Sequence, residues 1–75
     1  MQRLSFPIDE NNLLPANAWL RDHVEQLTAT GKKNIRIRYP GRFADELEIA
    51  VARGTGRYLG IPATTHDETP YELII

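Results

Sequence analysis

Three clusters in this chain of 75 residues have side chains suited to chemistry. The run GKKNIRIRYPGR, residues 31–42, holds five of the nine Lys and Arg residues and no acid. Lys32, Lys33, Arg36, Arg38 and Arg42, with Arg53 and Arg57 further on, could follow a nucleic-acid backbone while the Tyr39 ring stacks on a base. Arg is also prominent in protein-interface hot spots, so the same side chains suit an acidic protein partner. The plainer alternative is two lysines at a helix end and arginines on the solvent face of a strand, paired across the sheet with Glu72 or Glu48.

The second cluster, ARGTGRYLG, spaces its glycines as G-x-G-x-x-x-G. That matches neither the dinucleotide fingerprint nor a P-loop, and no Gly-Lys-Ser/Thr follows. Arg53 and Arg57 beside Gly54 and Gly56 could form a small anion nest, but a helix cap followed by a turn explains the same residues. The third cluster, His66-Asp67-Glu68, offers three metal-ligand types in a row. Adjacent loop residues seldom converge on one ion, so no metal site is expected. The other histidine, His23, follows Trp19 by four residues and reads as a half-buried ring against the indole.

Catalytic groups are scarce. The chain has no cysteine, which excludes thiol nucleophiles, thiolate zinc sites and disulfides together. Ser5, the sole serine, falls in mid-strand, away from any strand-to-helix elbow. Asp45 and Glu48 fall on an outer helix face, where burial cannot tune them as acid and base. No catalytic residue, cofactor-binding residue or cofactor is expected, and the protein is not expected to be an enzyme.

The elements that would position these side chains follow from hydrophobic period. Leu4, Phe6 and Ile8 alternate with Arg3, Ser5 and Pro7 over residues 2–8, a strand that Pro7 consigns to a sheet edge. The polar stretch DENN leads into a helix over 15–30. There Leu20, Val24 and Leu27 recur at helical spacing from Ala16, Pro15 suits the first helical position, and Gly31 provides the left-handed stop. Asn34 to Tyr39 alternates again, with Ile35, Ile37 and Tyr39 opposite Arg36 and Arg38, and Pro40-Gly41 turns the chain.

Residues 42–53, RFADELEIAVAR, fit a helix with its acids early, Arg53 late and Gly54 as cap. They also fit one arm of a hairpin over 46–61. Tyr58 to Ile61 reads as a short strand stopped by Pro62, 63–70 as a loop, and 71–75 as a last strand with Leu73 and Ile75 on one face and Ile74 on the other.

The expected architecture is α/β: a two-layer βαβαβ sandwich, with two helices on one face of a three- or four-stranded sheet. The alternative is an α+β fold, one helix on a mostly antiparallel sheet with the 46–61 hairpin. In either form residues 1–75 make one small domain, which buries only about 60% of the surface its unfolded chain exposes. Leu13, Leu14, Trp19, Tyr58, Tyr71 and Ile74 exceed what so thin a core should hold, and exposed apolar clusters mark interfaces.

Hydrophobic residues at 41% and charged residues at 25% describe a globular chain. A net charge of -1 confines any attraction for phosphate to a local patch. No apolar run approaches the roughly 20 residues needed to cross a bilayer, and the N-terminus has no signal-peptide pattern, so a cytoplasmic location is expected. The function these residues favour is a non-enzymatic protein-interaction module, a regulator or inhibitor of another protein, with homodimerisation compatible. A nucleic-acid-binding module using 32–42 is the alternative. The binding residues expected are Arg36, Arg38, Arg42, Tyr39, Trp19, Arg57 and Tyr58.

Overall fold

A computed structural model of the chain describes residues 2–43, 54–68 and 70–75. The described elements are β1 (Arg3–Pro7), α1 (Leu13–Ala29), β2 (Arg36–Pro40), a 3-10 turn (Gly41–Phe43), β3 (Arg57–Tyr58), β4 (Ile61–His66) and β5 (Pro70–Ile74). The strands form one five-stranded sheet in the order β1-β5-β2-β4-β3. β5 is antiparallel to both β1 and β2, so β1 and β2 run in parallel with β5 inserted between them. β2 and β4 are parallel neighbours, and β3 closes the far edge antiparallel to β4.

The fold is mixed α/β, as expected, but with five strands in place of three or four. Among the described residues one α-helix, α1, packs on the sheet. Residues 44–53 lie outside the described residues, and with them all but the start of the second helix, expected over 42–53, and the first arm of the rival 46–61 hairpin; Arg42 and Phe43 belong to the 3-10 turn. The strand count was missed at 57–66. Leu59 and Gly60 both have positive φ, 50° and 82°, which is the backbone of a two-residue hairpin turn between Tyr58 and Ile61. Pro62 therefore does not stop a strand, and residues 61–66, assigned largely to a loop, form β4.

The reason Pro62 is tolerated lies in the direction of its missing donor. The Ala63 amide donates to Gly56 O at 2.9 Å, on the β3 side. Because strand N-H groups alternate sides, the donor absent at 62 would have faced β2. The β2–β4 ladder accordingly runs from Ile37↔Ala63 to Pro40↔His66 and no earlier.

Helix α1 starts two residues before Pro15, which sits in the first turn, where its lost donor has no intrahelical partner to miss. Asn12 spends its side chain on the preceding loop, accepting from the Asp9 amide at 2.8 Å and donating to Pro7 O at 2.9 Å. At the other end Gly31 has φ 80°. Its amide donates to Thr28 O and that of Lys32 to Leu27 O, both at 3.1 Å, the paired bonds of a Schellman stop.

The buried face of α1, Ala16, Leu20 and Val24, joins Ile35 and the sheet residues Ile37, Tyr39, Tyr71 and Leu73 in one core. Phe43, Tyr58 and Ala63 extend it towards the β3 edge. The wider sheet holds more apolar residues than a three-stranded one could. Tyr58 and Tyr71, expected in surplus, are buried in that core, Ile74 is buried on the other face of the sheet, and Leu14 is 82% exposed.

Candidate functional site

Register fixes which side chains share the face opposite the core. Paired residues on neighbouring strands point the same way. Ile37 and Leu73 are partners in the core, so the residues one step along face outward. One row across the sheet is Arg3, Ile74 and Arg36; the next is Ser5, Glu72, Arg38 and Thr64. Arg3, Ser5, Arg36, Pro62 and Thr64 are exposed and Arg38 is half-buried. The face is thus open to solvent at these positions and, with Arg57 on β3 as the partner of Pro62, carries four guanidinium groups.

Glu72 is the anion that holds two of them, Arg3 and Arg38. It lies in mid-sheet on β5 with its side chain 5% exposed. Arg3 Nε is 3.3 Å from Oε2, and Arg38 Nη1 is 3.7 Å from Oε1. Oε1 is buried and has no hydrogen-bond partner among the described residues. The pairing of Arg38 with Glu72 is the cross-strand neutralisation that alternation alone suggested. It leaves Arg36 as the arginine on β2 with no ion pair among the described residues.

His66, Glu68 and Glu72 bring possible ligand atoms within 4.8 Å of one another. Their hydrogen bonds do not suit a cation. His66 Nδ1 accepts the Glu68 amide at 2.9 Å, so Nε2 holds the proton and donates to Pro70 O at 2.8 Å. Both ring nitrogens are occupied in closing the 66–70 turn, and two guanidinium groups already attend the Glu72 carboxylate. The cluster serves as a turn and a salt-bridge node.

A second feature adjoins the arginine face. A cleft of about 660 Å³ lies between the α1–β2 loop and the β3–β4 hairpin, lined by Lys32, Lys33, Asn34, Ile35, Arg36, Gly60, Ile61 and Pro62. It opens where Pro62 ends the β2–β4 ladder. Among the described residues its lining carries three cations and no acid. Arg36 and Pro62 belong both to the cleft and to the open sheet face, so the two surfaces are continuous.

The expected binding residues divide. Arg36 and Arg38 stand on the open face, and Arg36 joins Lys32 and Lys33 in the cleft. Arg57, exposed near it, donates from Nη1 to Gly60 O at 3.1 Å and braces the hairpin. Arg42 is exposed at the opposite end of β2, with its guanidinium 4.6 Å from the Phe43 ring centroid. Tyr39 and Tyr58 are 2% and 7% exposed, within the core. Trp19 is half-buried on the helix side, between the Phe6 ring at 5.5 Å and the His23 ring at 4.7 Å. The structure therefore separates these aromatic rings from the arginines.

Sequence reasoning did not single out Arg3, Glu72 as an organising residue, or the cleft itself. Arg3 and Glu72 meet only through the β1–β5 register, which no local pattern announces. Pro62 and the positive-φ pair Leu59-Gly60 were the usable signals for the cleft. Compared with family models, curated proteins and solved structures, the chain has no significant match in any of the three. No described helix is long and apolar enough to cross a membrane.

Proposed function

We propose that the protein is a non-enzymatic binding module whose open sheet face engages an acidic surface of another protein, in the manner of a regulator or inhibitor. The observation that carries this reading is the arrangement of Arg3, Arg36 and Arg38 on one exposed face, two of them held by a buried carboxylate. Arg is well suited to protein interfaces because its planar fork binds carboxylates in pairs of hydrogen bonds. Holding it in place beforehand lowers the ordering cost of association, roughly 0.5–1.5 kcal/mol for each side chain immobilised.

A nucleic-acid partner finds less support. Single-strand binding draws on aromatic platforms, and Tyr39, the ring that would have served, is buried in the core. The test is affinity capture from the source cell with the native chain and with Arg36→Glu and Arg38→Glu variants, alongside gel-shift titrations with single- and double-stranded DNA and RNA. A protein retained by the native chain and lost by both variants supports the reading. Salt-sensitive nucleic-acid binding lost by the same variants, with no protein retained, overturns it.

A further inference from the structure

We propose that the cleft between the α1–β2 loop and the β3–β4 hairpin is the seat of one segment of that partner: a peptide that carries acidic side chains next to apolar ones. This inference rests on the binding-module reading and adds the partner's chemistry. Three observations combine. Lys32, Lys33 and Arg36 ring the cleft with no acid among its described lining residues, while Ile35, Ile61 and Pro62 give it an apolar floor. A ligand that matches both must pair negative charge with apolar groups over a short distance.

The second observation is openness. Lys32, Lys33, Asn34, Arg36, Gly60 and Pro62 are exposed, Ile61 is half-buried, and Ile35 alone is buried. A volume near 660 Å³ falls in the range of small-molecule pockets, but such pockets bury roughly 70–90% of their ligand. A groove with walls this exposed suits a segment anchored elsewhere on a larger body. Arg36 and Pro62 supply that continuity, because the cleft runs directly into the open arginine face.

The third observation is Leu59. It is 56% exposed at the hairpin tip, next to Gly60 of the cleft rim, and it has φ 50°, a conformation that is strained for a leucine. An exposed apolar side chain held there adds a contact for a partner's apolar residue, at a position where glycine or asparagine would fit the turn better.

The experiment is a titration of the 15N-labelled full chain with a capped octapeptide of alternating glutamate and leucine, followed by amide shifts. Saturable shifts are expected at residues 32–36, Ile61 and Ala63, with affinity falling as salt rises. Lys32→Gln/Lys33→Gln, which keeps the fold without reversing charge, should weaken binding about tenfold or more. An all-glutamate octapeptide should bind several-fold more weakly.

Absence of saturable shifts in the cleft overturns the proposal. So does equal binding of the all-glutamate peptide or of inorganic phosphate, which would make the cleft a site for simple anions. So does undiminished binding of a peptide with lysine in place of glutamate. Cleft shifts that survive Arg3→Glu and Arg38→Glu, in a chain whose Arg38→Glu variant still captures the partner, would retain the cleft and remove the sheet-face reading. Loss of capture without cleft shifts would do the reverse.

Discussion

The Tyr71 hydroxyl donates a hydrogen bond of 2.9 Å to Asn17 Oδ1, joining the interior strand β5 to α1 inside the core. Asn17 is 6% exposed and Tyr71 0%, so water cannot readily replace either partner. Tyr71→Phe leaves the Asn17 oxygen without this donor, and an unsatisfied buried acceptor costs about 1–3 kcal/mol. Adding Asn17→Leu should recover a good part of that loss, since removing both polar partners is cheaper than removing one. Urea unfolding of the two single variants and the double variant reads the coupling. Strict additivity would mean that the bond does not tie helix to sheet.

The core stripe of α1 sets the stability of the whole. Leu20 is 1% exposed and Leu14, on the same helix, is 82% exposed. Leu20→Ala should cost about 2–5 kcal/mol, against a total of about 5–15 kcal/mol for ordinary domains, of which a chain this short holds the lower part. Leu14→Ala should change stability by no more than about 0.5 kcal/mol. Thermal melts followed by circular dichroism should show Leu20→Ala largely unfolded near physiological temperature and Leu14→Ala unchanged.

Much of this fold was legible because its signals are local. Gly31 marked the helix stop, Pro7 the edge strand, and alternation at 35–39 put Ile35, Ile37 and Tyr39 opposite Arg36 and Arg38. The same alternation places Tyr39 inward, at odds with the stacking and binding role expected of it, and the structure buries it. What stayed hidden depends on partners distant in sequence. β4 carries Pro62 and two threonines and reads as a loop until β2 is seen to pair with it. Glu72 becomes a hub only when β5 inserts between β1 and β2. That insertion is a choice of strand order, which hydrophobic period does not encode.

Leu59 offers a test of strain. Left-handed backbone costs an L-residue with a side chain roughly 1–2 kcal/mol. Glycine relieves that cost but adds about 0.5–1 kcal/mol of unfolded-chain entropy, as it does elsewhere in regular structure. Leu59→Gly should therefore leave the domain equal in stability or more stable by up to about 1 kcal/mol, despite the loss of a large apolar residue. Leu59→Asn, which tolerates the conformation better than leucine, should stabilise similarly. Chemical denaturation measures both. A loss above about 1 kcal/mol would show that the side chain packs on its own domain and is not held out for a partner.

Glu72 separates the demands of folding from those of binding. Taking a carboxylate out of water costs several kcal/mol, which only close, well-bonded cations repay. Its partners Arg3 and Arg38 are 58% and 38% exposed, and Oε1 has no hydrogen bond among the described residues. Ion pairs with exposed partners return about 0–1 kcal/mol each. An apolar residue of similar size should therefore fold as well, and Glu72→Leu is expected to lie within about 1 kcal/mol of the native chain or above it. Binding should change in a different way. With the carboxylate gone, the face gains net positive charge, which speeds association with an acidic partner and steepens its salt dependence. Arg3 and Arg38 also lose the group that holds them, so dissociation should quicken as well. Stopped-flow or surface-resonance kinetics at two salt concentrations, with the captured partner, would resolve the two rates. If Glu72→Leu instead destabilises the fold by about 3 kcal/mol or more, as when a buried pair is broken, the carboxylate is a structural node. The organised arginine face would then be a by-product of packing and not a device for binding.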